Sequence, residues 1–141
     1  MKDRLKGFTL LELLVVIGII GVMMALATVA YAQAQQSGRN TRRKQDLVAI
    51  QNALEQYYSA NSFAYPVGTC SVAKDHLKSA WPVDPSSTAT VTIPYSENCA
   101  STSSYCVCAG MEPATSTAGN STTSSCGWAN SGAYYCVGNL Q

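Results

Sequence analysis

Twenty residues from Leu13 to Ala32 carry no charge, and Thr28 and Tyr31 are their only strongly polar-capable side chains. At 1.5 Å per residue, a helix of that length spans about 30 Å, the thickness of a bilayer's hydrocarbon core. After a polar patch from Gln33 to Asn40, containing Ser37-Gly38, the pattern changes. Apolar residues recur at Leu47, Ile50, Leu54 and Tyr57, and Val48 and Tyr58 widen the stripe. That is helical periodicity with one apolar face. Joined, the two patterns predict a single helix from about Phe8 to about Ser59. Its first half, residues 8–34, is apolar all round, and its second half, residues 35–60, is amphipathic.

Beyond Asn61 the pattern breaks into short pieces. Tyr65-Pro66 closes the helical region, because proline restricts the residue before it and cannot continue a helix. Ser71 to Ala80 predicts one or two helical turns, with Ser71 as N-cap and Leu77 facing inward. Trp81-Pro82-Val83-Asp84-Pro85 reads as an extended loop. Strand-like runs follow at Thr88–Tyr95, Tyr105–Ala109 and Ala133–Val137, with a turn at Asn130-Ser131-Gly132. Pro113 to Ser125 holds eight Ser/Thr in thirteen residues and predicts a flexible, exposed loop. The expected architecture is α+β: a long N-terminal helix packed on a small antiparallel sheet, with residues 61–141 as a Cys-rich head.

Composition sharpens this picture. Of 141 residues, 47% are hydrophobic and 12% charged, with a net charge of +1. The near-neutral balance argues against a dedicated nucleic-acid binder, which needs a field of Lys and Arg. All six cysteines (70, 99, 106, 108, 126 and 136) follow the apolar segment. An even set in a small head points to disulfides and an oxidising compartment, and away from a cytosolic enzyme. Cys106 and Cys108 would share one face of a strand, so each is expected to bond elsewhere. Six cysteines allow fifteen pairings. Cys126 with Cys136 is the local expectation, closing a loop around Gly127-Trp128.

The N-terminus carries the most information. Lys2, Arg4 and Lys6 precede the apolar run, as at an export signal. Three Lys/Arg lie before the segment and four after it (Arg39, Arg42, Arg43 and Lys44), so the positive-inside rule sets no orientation. Ala30-Tyr31-Ala32 also fits a conventional signal-peptidase site, which would release a secreted disulfide domain. Glu12 fits neither an ordinary signal nor a plain anchor, because a carboxylate at the edge of hydrocarbon is costly unless paired. Around it the chain reads Gly7-Phe8-Thr9-Leu10-Leu11-Glu12, then LLVVIGIIG.

This closely resembles the class III signal of type IV pilins and type II secretion pseudopilins. The resemblance covers roughly the first 35 residues. It implies a leader of residues 1–7, a prepilin peptidase that cuts after Gly7, and methylation of the new N-terminal Phe8. It also implies that Glu12 pairs with the N-terminal amine of a neighbouring subunit. In a water-free filament core, that pairing removes two buried-charge penalties together, setting register more than raw stability. Gly18 and Gly21 each cost up to about 1 kcal/mol of helicity relative to Ala. They read as close helix packing through small residues, with local unwinding as the alternative. The basic cluster reads as a solvated face that contacts lipid headgroups during membrane storage. DNA contact by an uptake pilus is weaker, since four charges followed by Asp46 make no extended groove.

The resembling major pseudopilins carry a calcium site in their C-terminal loops. Calcium needs several oxygens, usually with two or more carboxylates. After the long helix this chain offers only Asp75, Asp84, Glu97 and Glu112. Disulfides are therefore expected in place of a metal, and this departure favours a pilus subunit over a secretion pseudopilin. No cofactor is expected. Nor is an enzyme: the one histidine, His76, has no convincing partner set, and no glycine-rich phosphate loop is present. The expectation is a homo-oligomeric helical filament subunit, stored in the inner membrane and assembled by pilus or secretion machinery. The filament itself would be extracellular or periplasmic.

Overall fold

A computed structural model describes residues 8–88 and 90–140. Both N-terminal patterns fall within one helix, α1, Leu10–Ala60. Its end has an identifiable cause. Ser62 and Phe63 adopt left-handed backbone conformations, with φ of 56° and 59°, and the Phe63 amide donates to the Tyr58 carbonyl at 3.0 Å. The Phe63 and Tyr58 rings meet at 5.6 Å between centroids. This is a Schellman closure with its hydrophobic contact, built on serine where glycine is usual. The Asn61 side chain donates to the Tyr57 carbonyl at 2.8 Å, satisfying another terminal carbonyl.

The chain forms two compact units. Residues up to Gln35 make the first, and Gln36–Gln141 the second. Within the second, Leu47, Ile50, Ala53 and Leu54 of α1 are fully buried. They cluster with Tyr65, Cys70, Ala73, Tyr95, Cys99, Tyr105, Val107, Ala109, Met111 and Val137. The amphipathic stripe is thus the helical wall of a single small core.

A 3₁₀ helix, η1, covers Cys70–His76. It is shorter than the expected Ser71–Ala80 and is flanked by Thr69 rather than capped by Ser71; the N-cap position makes no side-chain hydrogen bond. Five strands follow: β1 Ser96–Asn98, β2 Cys106–Gly110, β3 Gly119–Ser121, β4 Trp128–Gly132 and β5 Tyr134–Gly138. They form one antiparallel sheet in the order β1-β2-β5-β3-β4. In the β2–β5 register Val107 faces Val137 and Cys108 faces Cys136. Because side chains alternate along a strand, the valines point to the helix and the cysteines to the other face.

Three expectations change here. The described residues of Thr88–Tyr95 form no strand. Local turns form instead: Thr88 N–H donates to the Val91 carbonyl, the Thr88 hydroxyl accepts from the Val91 amide, and the Ser87 hydroxyl accepts from the Ile93 amide. The exposed loop expected at 113–125 contains β3, in which Gly119 and Ser121 are buried. Its anchor is Asn120, whose side chain donates to the Cys136 carbonyl at 2.9 Å and accepts from the Cys136 amide at 2.7 Å. Asn130-Ser131-Gly132 belongs to β4 rather than to a turn.

The disulfides are Cys70–Cys99, Cys106–Cys126 and Cys108–Cys136. Cys126 therefore does not pair with Cys136. The β2–β5 register sets Cys136 directly across from Cys108, which leaves Cys126, on the loop before β4, to reach Cys106. All six expected cysteines are bridged.

Candidate functional site

In the first unit, α1 begins with a reciprocal cap. Thr9 N–H and Thr9 Oγ1–H donate to Glu12 Oε2 at 2.9 and 3.0 Å, and Glu12 N–H donates to Thr9 Oγ1 at 3.2 Å. Thr-Leu-Leu-Glu is thus a capping box, which satisfies orphan amides of the first turn and places a carboxylate at the positive end of the helix. Thr9 went unrecognised in the sequence, although the Thr-x-x-Glu spacing was legible there. Gly7 lies outside the described residues, as does the rest of the 1–7 leader. Phe8 is 85% exposed.

From Phe8 to Gln35 every residue is exposed. The large apolar ones include Leu13, Leu14, Val15, Val16, Ile19 and Met23, distributed around the helix rather than along one stripe. A helix apolar all round belongs inside a bilayer or a larger assembly. This one is long and apolar enough to cross a membrane. A Cβ added at Gly18 or Gly21 meets nothing within 4 Å, so neither glycine accommodates a contact within the chain.

In the second unit only part of the basic cluster is a solvated face, with the Arg42 side chain 68% exposed. The Arg43 side chain is 4% exposed. It donates from Nε and Nη2 to the two oxygens of Asp84, at 2.7 and 2.9 Å, and from Nη2 to Glu112 at 2.5 Å. Arg39 also binds Glu112, and Asn40 closes the cluster by accepting from the Glu112 amide at 2.9 Å and donating to its carbonyl at 2.6 Å. Arg42 pairs with Asp46 four residues on, at 3.0 Å. Lys44 donates to the Ala118 carbonyl at 3.1 Å and lies over the Tyr135 ring. Arg39, Arg43 and Lys44 thus fasten α1 to two loops, the one carrying Asp84 and the one between β2 and β3, and are spent on the fold rather than offered to headgroups or DNA.

Titration follows the contacts. Burial raises the Asp84 pKa, but bonds from Arg43 and Ser86 outweigh it and hold the carboxyl down at about 2. Glu112 is lowered, first by Arg39 and then by Arg43. Glu97 is raised by burial, only partly relieved by the Trp81 indole N–H donating at 2.6 Å. Tyr105, Tyr65 and Tyr95 are raised by burial and by the adjacent carboxylates Glu55 and Asp46. The arrangement anchors a helix.

Comparison with known proteins finds a family match within the first unit and relatives matched over longer stretches. Residues 3–28 match the prokaryotic N-terminal methylation motif. The chain is 40% identical over 55 residues to the type II secretion system core protein G of Escherichia coli, covering 39% of this chain and 38% of that protein. It is 32% identical over 71 residues to the type IV major pilin protein PilA of Myxococcus xanthus, covering 48% of this chain and 32% of the relative. It is 42% identical over 50 residues to a type IV major alpha-pilin of Moraxella bovis, covering 36% and 31%. The chain thus spans well under half the length of these relatives. No solved structure matches it. The prepilin-type motif and the apolar helix fit a membrane-anchored envelope protein.

Proposed function

We propose that the chain is a structural subunit of a type IV pilus or related filament. Prepilin peptidase cuts it after Gly7 and Phe8 is N-methylated. The apolar helix holds the subunit in the inner membrane and later packs with copies of itself in the filament core. The observation that carries this reading is the coincidence of two facts: the methylation motif covers residues 3–28, and this stretch holds the fully exposed apolar helix that Glu12 opens. Both Thr9 bonds fall on Oε2, so the same carboxylate can also accept the amine of a neighbour. Gly18 and Gly21, open on all sides within the chain, suit close approach of neighbouring helices. Assembly would engage pilus or secretion machinery, with no catalytic role for the subunit.

The second reading is a major-type pseudopilin of a type II secretion system. It is favoured by relatives named as core protein G, from Escherichia coli and Aeromonas hydrophila among others. Against it, Asp84 and Glu112 are engaged by arginines and Glu97 by Trp81, which leaves few carboxylates to gather a calcium ion in the C-terminal loops. Deleting the gene separates the two readings: loss of surface filaments supports a pilus, and retention of exoproteins in the periplasm supports a pseudopilus.

Processing is tested by intact mass and N-terminal sequencing of protein taken from the native envelope. A start at methylated Phe8 is expected. A start at Gln33, after the Ala30-Tyr31-Ala32 site, would make the chain a released disulfide domain and refute the filament reading. Glu12→Ala is expected to leave processed protein in the membrane with filament yield reduced at least tenfold. Normal filament yield would count against the amine–carboxylate pairing.

A further inference from the structure

Two of the three bridges lie against each other. Cys106 Sγ is 3.6 Å from Cys108 Sγ, and Cys126 Sγ is 3.9 Å from the same atom, although neither is bonded to it. Both sulfurs of one bridge thus touch a single sulfur of the other. The cause is the strand: Cys106 and Cys108 are two apart on β2 and share its face, and the register sets Cys136 beside Cys108. The two bridges differ in access. Cys106 and Cys126 are half-buried, whereas Cys108 and Cys136 are each 1% exposed.

Thiol–disulfide exchange needs a thiolate in contact with a disulfide sulfur, and access decides which sulfur an external thiol reaches. We propose that Cys106, Cys108, Cys126 and Cys136 form one exchange site for a dithiol reductant, in which attack on the outer bridge is passed inward and emerges as a free thiol at Cys136. This inference is independent of the filament reading.

The steps balance. A reductant thiolate attacks Cys106 Sγ, forming a mixed disulfide and expelling the Cys126 thiolate. That thiolate attacks Cys108 Sγ, forms a Cys108–Cys126 bond and expels the Cys136 thiolate, which takes a proton. The reductant's second thiol then displaces Cys106, leaving the reductant as its own disulfide. Two electrons have passed from the dithiol to the protein, which now holds one bridge and two thiols among these four cysteines. Attack at Cys126 instead expels the Cys106 thiolate, which takes Cys108 from 3.6 Å, and the same Cys136 thiolate leaves. Cys126 is held with φ of 56°, in the left-handed region unfavourable to an L side chain, so its loop gains freedom once the bridge opens.

The test is partial reduction of the oxidised full chain in detergent with dithiothreitol at pH 8. Thiols are then trapped by alkylation, and labels and remaining bridges are mapped by peptide mass spectrometry. The expected result is that most molecules with one of these bridges lost carry label at Cys136, with Cys108 bonded to Cys126 or Cys106. Label on Cys106 and Cys126 with Cys108–Cys136 intact would overturn the proposal, and so would simultaneous opening of both bridges. A second measurement uses Cys126→Ser, which leaves a lone thiol at Cys106 and needs no reductant. Label shared between Cys106 and Cys136 supports the relay, and label confined to Cys106 overturns it.

Discussion

Replacing Arg43 with methionine tests the charged clamp directly. Methionine fills much of the aliphatic volume but supplies no donor. Arg43 gives two bonds to Asp84, one to Glu112 and one to the Asn40 side chain. Its removal leaves Asp84, 8% exposed, without its cation. Breaking a buried ion pair from one side costs about 3–5 kcal/mol. Ser86 still donates to Asp84 from its amide at 2.8 Å and from its hydroxyl, which places the expected loss near the lower end, about 3 kcal/mol. For a unit of this size that corresponds to a fall in melting temperature of about 12 °C. The double variant Arg43→Met/Asp84→Asn should recover about 2 kcal/mol of this, because no uncompensated charge remains buried.

The same clamp sets an acid dependence whose sign follows from the shifts. Asp84 has its folded pKa depressed to about 2 from an ordinary 3.8. Its stabilisation is therefore complete above pH 4 and is lost as pH falls from 4 to 2, amounting to about 2 kcal/mol at 1.36 kcal/mol per unit. Glu112, also lowered, adds to the loss in the same direction. Urea unfolding of the oxidised full chain in detergent, followed by tyrosine and tryptophan fluorescence from pH 7 to 2, reads both effects. Arg43→Met should be destabilised at neutral pH and should lose much of the acid slope. A variant within 1 kcal/mol of the parent at pH 7, or one with the parent's slope, would refute the assignment of stability to this pair.

Two further variants probe the head. Gly119→Ala places a Cβ 1.9 Å from the Tyr134 carbonyl oxygen, a backbone clash that cannot be relieved by a rotamer change; loss of the β3 pairing is expected, read as faster amide exchange at Ser121 and Tyr134, whereas Gly18→Ala should leave the head's exchange pattern unchanged. Glu97→Gln keeps an acceptor for the Trp81 indole while removing a carboxylate whose folded pKa burial has raised. It should raise stability at pH 7, with the gain vanishing as pH falls below the carboxyl's ordinary range; a destabilised variant at pH 7 would show that the charge is favourable.

The long helix was legible because both its halves speak in the same period, one through unbroken apolarity and the other through the stripe at Leu47, Ile50 and Leu54. Strands β2 and β5 were legible within a residue at each end, since Tyr105–Ala109 and Ala133–Val137 alternate around valines that fill the core. Strand β3 was not, because its buried positions are Gly119 and Ser121. What they bury is backbone, held by the Asn120 side chain, and a hydrophobic pattern has no way to register that. The clamp was hidden for a different reason. Its partners lie 41 and 69 residues from Arg43, and nothing local distinguishes an arginine that will meet a distant carboxylate from one that faces water. At the candidate assembly end, Glu12 stood out by composition alone, and the Thr-x-x-Glu spacing that makes Thr9 its partner was equally legible.

These placements bear on how charge is divided along the chain. Among residues 8–35 the only formally charged side chain is Glu12, and it stands at the positive end of an exposed apolar helix. The four cations that follow, Arg39, Arg42, Arg43 and Lys44, are all engaged by groups of the second unit. Arg39, Arg43 and Lys44 are therefore poorly placed to neutralise a carboxylate on another copy without weakening their own unit. If copies of this helix pack together away from water, the charge that answers Glu12 must come from the N-terminal end, and the proposed cleavage before Phe8 would supply one: an α-amine one residue before the cap residue Thr9. On this argument the cut does more than remove a basic leader. Under the proposed processing it exchanges the side-chain cations of Lys2, Arg4 and Lys6 for one fixed at the helix start, so cleavage and packing would be electrostatically coupled.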